Sequence, residues 1–115
     1  MTAENPSAAE RMFWELATPL LALPGVSRST MMGFPCLRLN GDFFASIDKG
    51  AGRLIVKLDK QRVEEHLAAA RAEPFAPNGR TFREWAAVPY QRRRNWARHL
   101  DDALALALER TASRR

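Results

Sequence analysis

Cysteine is all but absent from this chain. Cys36 stands alone, so no internal disulfide can form and nothing asks for an oxidising compartment. Long apolar runs are missing as well: none approaches the ~20 residues that span a bilayer. The opening residues 1–11 have no basic start followed by an apolar stretch, which speaks against a secretory signal. The expectation is a cytoplasmic protein with no membrane partner.

Histidine is scarce. Cys36, His66 and His99 contain no pair at a metal-ligand spacing, so no metal site is expected. The glycines of Asp48 to Arg53 lack the Lys-Ser/Thr that a phosphate-binding P-loop needs, and read as a hairpin turn. His99 has Asp102 three residues on, but no Ser or Cys nucleophile stands near either in sequence. Cys36 alternates with Leu37 and Leu39 and reads as a buried structural thiol; His66 reads as a solvated helix residue. The chain is expected to be no enzyme and to need no cofactor.

What is present is the composition of a globular domain. Of the 115 residues, 46% are hydrophobic and 27% charged, which excludes a disordered chain. The length fits one domain, residues 1–115. The net charge of +5 is unevenly placed: residues 61–115 hold eleven Lys/Arg against seven Asp/Glu, and 80–98 hold six arginines against Glu84 alone. Such a basic end favours an anionic partner.

The hydrophobic pattern gives the elements in order. Met12, Phe13, Leu16, Leu20 and Leu21 recur at helical spacing, with Ser7 and Glu10 placed as a capping box. Pro19 should kink or end that helix near Thr18, and Pro24-Gly25 should stop it. From Val26 to Asp59 the period is two. Residues 27–32 form a candidate first strand, and Asn40-Gly41 separates two strands with a hairpin signal. Alternation puts Leu54, Val56 and Leu58 on one face, joined by Ile47, Ala45 and Phe43 across a four-residue turn at 49–52. A three-residue loop at Asn40–Asp42 adds Leu37 and Leu39 to that face. It leaves Arg38, Phe44, Ser46, Arg53, Ile55 and Lys57 on the other. Asp59 caps a second helix over 60–72 with Val63, Leu67 and Ala70 or Arg71 inward. After a Pro/Gly loop, residues 80–89 look extended. The last helix runs from about Tyr90 to Glu109, with Trp96, Leu100, Ala103, Leu104, Ala107 and Leu108 in one stripe, followed by a frayed tail. The expected class is α+β: an antiparallel β-meander flanked by N-terminal, middle and C-terminal helices.

Read together, Pro24-Gly25, Gly33-Phe34-Pro35, Asn40-Gly41 with Phe43-Phe44-Ala45, Leu54 through Leu58, Gly79-Arg80, Glu84-Trp85 and Val88-Pro89 carry a resemblance. Over residues 12–108 the chain resembles the TfoX N-terminal and MmcQ/YjbR-like families of small bacterial proteins. The resemblance implies the "double wing" α+β fold and a DNA-binding or transcription-associated role. It carries no catalytic residue to this sequence.

Two basic groups are candidates for nucleic-acid contact. Arg92, Arg93 and Arg94, with Arg80 and Arg83, read either as phosphate contacts or as a solvated helix start; Arg98 can pair with Asp101 or Asp102. Cations in a first helical turn oppose the helix dipole, which favours a role beyond stability. Arg38, Arg53 and Lys57 share the outer sheet face with Phe44 and Ile55, a mixture that suits a nucleic-acid backbone and equally the rim of a protein interface. Trp14, Trp85 and Trp96 all read as core. The first expectation is an electrostatic DNA-binding or transcription-associated accessory protein. The alternative is a protein-interaction module or homodimer using the outer sheet face, and an enzyme of unknown reaction ranks third.

Overall fold

The computed structural model describes residues 4–114 and has an α+β architecture. Three helices, α1 (Glu4–Leu21), α2 (Lys60–Ala68) and α3 (Trp96–Ser113), accompany six strands. The strands are β1 (Val26–Met31), β2 (Phe34–Leu39), β3 (Asp42–Asp48), β4 (Arg53–Lys57), β5 (Glu73–Pro74) and β6 (Trp85–Pro89). They form one antiparallel sheet in the order β1-β2-β3-β4-β6-β5. The first four make the expected meander. The α2 excursion returns the chain so that β6 adds beside β4, and the two-residue β5, absent from the sequence expectation, closes the edge.

One face of the sheet holds the core. Ala9, Phe13 and Ala17 recur every four residues on α1 and are fully buried against it. Trp96, Leu100, Ala103 and Leu104 do the same from α3, and Val63 from α2. Ile47, Leu54, Val56 and Leu58 meet them from the sheet, as alternation requires. Leu108, the end of the expected α3 stripe, is exposed. Among the described residues no helix is long and apolar enough to cross a membrane.

Several boundaries differ from the sequence expectation. α1 begins at Glu4, so Ser7 lies inside the helix rather than at its cap. Pro19 is tolerated because it sits in the last turn, where its missing N–H costs a single bond; the helix continues to Leu21. α2 is capped by Asp59 as expected, its side chain accepting from the Arg62 amide at 2.8 Å. It stops at Ala68, so Ala70 and Arg71 are not inner helix positions but exposed residues of the following turn. Residues Tyr90–Asn95 form a 3₁₀ turn, and α3 runs four residues past Glu109, through most of the expected tail. Arg115 lies outside the described residues.

The β2–β3 hairpin departs most usefully. Asn40 and Gly41 both take positive φ, 51° and 91°, giving the two-residue turn whose twist matches the strands. Leu39 therefore faces Asp42, and Arg38 faces Phe43, rather than following a three-residue loop. A β-bulge then inserts Phe44, after which Leu37 lies opposite Ala45 as expected. The extra residue turns Phe44 into the core, 1% exposed, and Phe43 to the outer face. The two phenylalanines thus exchange the faces that simple alternation assigns them. Beyond 49–52, Ile47 pairs with Leu54 as expected.

Gly25 fixes the chain's entry into the sheet. Its φ is +85°, and a β-carbon there would lie 2.5 Å from Asn40 Oδ1. Its carbonyl accepts from the Asn40 amide at 2.8 Å, tying the end of α1 to the β2–β3 turn.

Candidate nucleic-acid interface

The outer sheet face is partly roofed by the loop between β5 and β6. Phe75 is buried against Ile55 and Ala87, and its ring lies 5.8 Å from Phe82 and 6.3 Å from Trp85. The Phe82 amide donates to the Phe75 carbonyl at 2.9 Å and closes the loop on itself. What the loop leaves open is a groove of about 400 Å³ lined by Met31, Phe43, Lys57, Phe75, Phe82 and Trp85.

Cations and aromatics meet pairwise at this groove. The Arg38 guanidinium lies 4.3 Å over the Phe43 ring, the Lys57 ammonium 5.8 Å from Trp85 and the Arg80 guanidinium 5.8 Å from Phe82. Cross-strand pairing explains two of these contacts, because Arg38 is registered with Phe43 and Lys57 with Trp85. The row crosses β2, β3, β4 and β6, three strand spacings or about 14 Å. The Asp42 carboxylate also lines the groove, but Arg114 is hydrogen-bonded to it and offsets its charge.

The other predicted residues separate from this row. Arg53 shares the outer face, yet it is committed to Asp48 and Glu73, each at 3.2 Å. Arg83 lines a separate cleft beside Val63 and Leu67 of α2. Arg92, Arg93 and Arg94 are exposed beyond the opposite end of β6: Lys57 pairs with its first residue, Trp85, and Arg53 with its last, Pro89. Arg93 is held by its own turn, 4.3 Å over Tyr90 and donating to the Tyr90 carbonyl at 3.2 Å. The triplet precedes α3 in the 3₁₀ turn instead of occupying its first turn as the sequence suggested.

The tryptophans divide. Trp96 is fully buried, whereas Trp14 and Trp85 are half-buried, each facing a cation; Arg28 lies 4.1 Å over Trp14. Sequence reasoning placed Trp85 in the core and missed Phe82 altogether. The available signal was the spacing of Phe75, Phe82 and Trp85 around a Pro/Gly loop, which lets the loop fold back over a sheet face.

The remaining titratable candidates resolve differently. Cys36 is buried, and desolvation pushes its thiol pKa up, as befits an inert structural residue. His66 and His99 come together, their rings 4.9 Å apart and edge to face. Both pKa values are lowered, first by burial; His99, 4% exposed, falls to about 4. His66 is half-buried beside His99 rather than fully solvated. Asp102 pairs with Arg62 at 3.4 Å rather than with Arg98. Among the described residues, no group of three or more His, Cys, Asp and Glu is placed to hold a metal ion.

No protein-family model, curated protein or solved structure matches the chain.

Proposed function

We propose that the protein binds nucleic acid, single strands in preference to duplex, in the groove on the outer face of its sheet. The observation that carries this reading is the row of cation–aromatic pairs, Arg38–Phe43, Lys57–Trp85 and Arg80–Phe82, whose aromatic members line one groove. Phosphates require exposed cations, and unpaired bases require aromatic surfaces on which to stack. A duplex hides its base faces and would meet only the charges. The net charge of +5 supports the same reading by steering a polyanion toward the surface.

The sequence resemblance to the TfoX N-terminal and MmcQ/YjbR-like families, with its DNA-binding or transcription-associated role and double-wing fold, agrees with this assignment. The groove residues act as a binding surface; the proposal includes no catalytic step and no cofactor.

The test is fluorescence anisotropy of dye-labelled single-stranded and duplex oligonucleotides of equal length at about 50 mM salt. The expected result is tighter binding of the single strand, weakened by Lys57→Ala and by Phe43→Ala. A protein that binds neither oligonucleotide, but self-associates through this face until Phe43→Asp breaks the dimer, is instead an interaction module.

A further inference from the structure

A second cleft, of about 470 Å³, opens on the helical side between α2, the turn after it and the start of α3. His66 and His99 form its centre, and Arg62, Arg71 and Arg98 surround them. These residues come from two stretches, 62–71 and 98–102, which meet through the His66–His99 ring contact and the Arg62–Asp102 ion pair.

The turn that ends α2 places Arg71. Ala70 takes φ +57°, an unfavourable conformation for a residue with a β-carbon, and this reverses the chain. The Arg71 amide then donates to the His66 carbonyl at 2.9 Å, and its side-chain Nε donates to His66 Nδ1 at 3.0 Å. With Nδ1 accepting, a neutral His66 must carry its proton on Nε2, which makes Nε2–H a donor. Arg71 keeps the donors of its two terminal nitrogens. His99, nine-tenths buried, has Nδ1 enclosed with no hydrogen-bond partner.

The charges do not cancel. From α2 the cleft receives Arg62, Glu65 and His66; from the turn, Arg71; from α3, Arg98, His99 and Asp102. Asp102 is taken by Arg62 at 3.4 Å, while Arg71 and Arg98 make no ion pair among the described residues. Both imidazoles are held toward their neutral forms by burial and by neighbouring cations. The cleft thus presents two guanidinium groups without ion pairs among the described residues and an imidazole N–H, a donor set suited to an oxyanion with several acceptor oxygens.

We propose that this cleft is a binding site for a phosphate dianion, either free phosphate or the phosphate group of a small phosphomonoester. Arg71 and Arg98 bind its oxygens and His66 donates a third hydrogen bond. The site is separate from the nucleic-acid groove. A bound dianion favours the imidazolium and raises the His66 pKa, and the proton taken up at Nδ1 displaces the Arg71 Nε–H from that atom.

His66 and His99 are the only two histidines in the chain, so their ring signals report on this cleft alone. Imidazole NMR spectra are recorded at pH 7 while inorganic phosphate, or in a parallel arm glycerol phosphate, is titrated against sodium chloride at matched ionic strength. The expected result is a saturable shift of both rings, a raised His66 pKa, and binding weakened about tenfold or more in Arg71→Gln and in Arg98→Gln. The arm that saturates at lower concentration identifies the free or esterified source. Because Arg98→Gln leaves the Arg71–His66 bond in place, its loss of affinity reports on anion contact and not on cleft geometry. Lys57→Ala leaves these titrations unchanged. Shifts that sodium chloride reproduces, or that survive in both arginine variants, overturn the proposal.

Discussion

The guanidinium of Arg38 lies 4.3 Å over the ring of Phe43 because the two-residue Asn40-Gly41 turn pairs the two residues and the bulged Phe44 sets that pair on the outer face. The bulge serves both faces of the sheet. It gives the core a large aromatic side chain under α3 and gives the outer face an aromatic beside a cation.

Phe43 and Phe44 should therefore respond oppositely to truncation. Phe44→Ala removes a buried ring and is expected to cost about 3–5 kcal/mol of stability, read from the urea midpoint. Phe43→Ala should change stability by much less, but should weaken single-strand binding about tenfold, the order of one base stack. Equal stability losses from the two would contradict the bulge.

Arg53→Ala separates structural from binding cations. Its guanidinium bridges Asp48 and Glu73, so the variant should lose up to about 1 kcal/mol of stability while oligonucleotide affinity stays within about twofold. A loss of affinity as large as that of Lys57→Ala would place Arg53 among the phosphate contacts.

Stability should fall between neutral and mildly acidic pH. His99 has a folded pKa of about 4 against 6.5 when unfolded. Between those values the unfolded chain binds the extra proton, so stability is complete above about pH 6.5 and is lost as pH falls toward 4. The full effect amounts to about 3 kcal/mol, and the lowered pKa of His66 adds in the same direction. Urea midpoints at pH 7 and pH 5, above most carboxylate titration, should capture about 2 kcal/mol of it. A slope undiminished in His99→Gln would show that another group is responsible.

Two local devices are testable by single substitutions. Asp59→Ala removes the α2 cap and should cost about 1 kcal/mol. Gly25→Ala adds both left-handed strain and a collision with Asn40, so its cost should exceed about 1 kcal/mol. Combining Gly25→Ala with Asn40→Gly, which tolerates the positive φ at that turn position, should recover the part due to collision with the Asn40 side chain.

Much of this fold was legible because it rests on local rules. Alternation from Ile47 to Leu58 gave the meander and the pairing of Ile47 with Leu54. The Asp59 cap and the strand that ends at Pro89 followed from chemistry within a few residues, but of the expected extended segment 80–89 only Trp85–Pro89 is strand, and residues 80–84 are loop and turn. The bulge was not legible, since two adjacent phenylalanines offer no local reason to choose which one enters the core. That choice depends on the space beneath α3, which is tertiary. The same limit hid the loop over the outer face, where Phe82 and Trp85 meet Phe75 only after the chain returns. It also hid the paired histidines, separated by more than thirty residues and joined only by tertiary contact. The arginine triplet drew attention because it is contiguous, yet contiguity placed it in a turn remote from the groove.

The central claim is most directly tested by the salt dependence of single-strand binding between about 50 and 200 mM salt. Each phosphate contact contributes about 0.7 to the log–log slope, so removing Arg38, Lys57 and Arg80 together should flatten it by about 2. Removing Arg92, Arg93 and Arg94 together should leave the slope nearly unchanged. The opposite pattern, with the slope lost from the triplet variant and kept by the groove variant, would contradict the account.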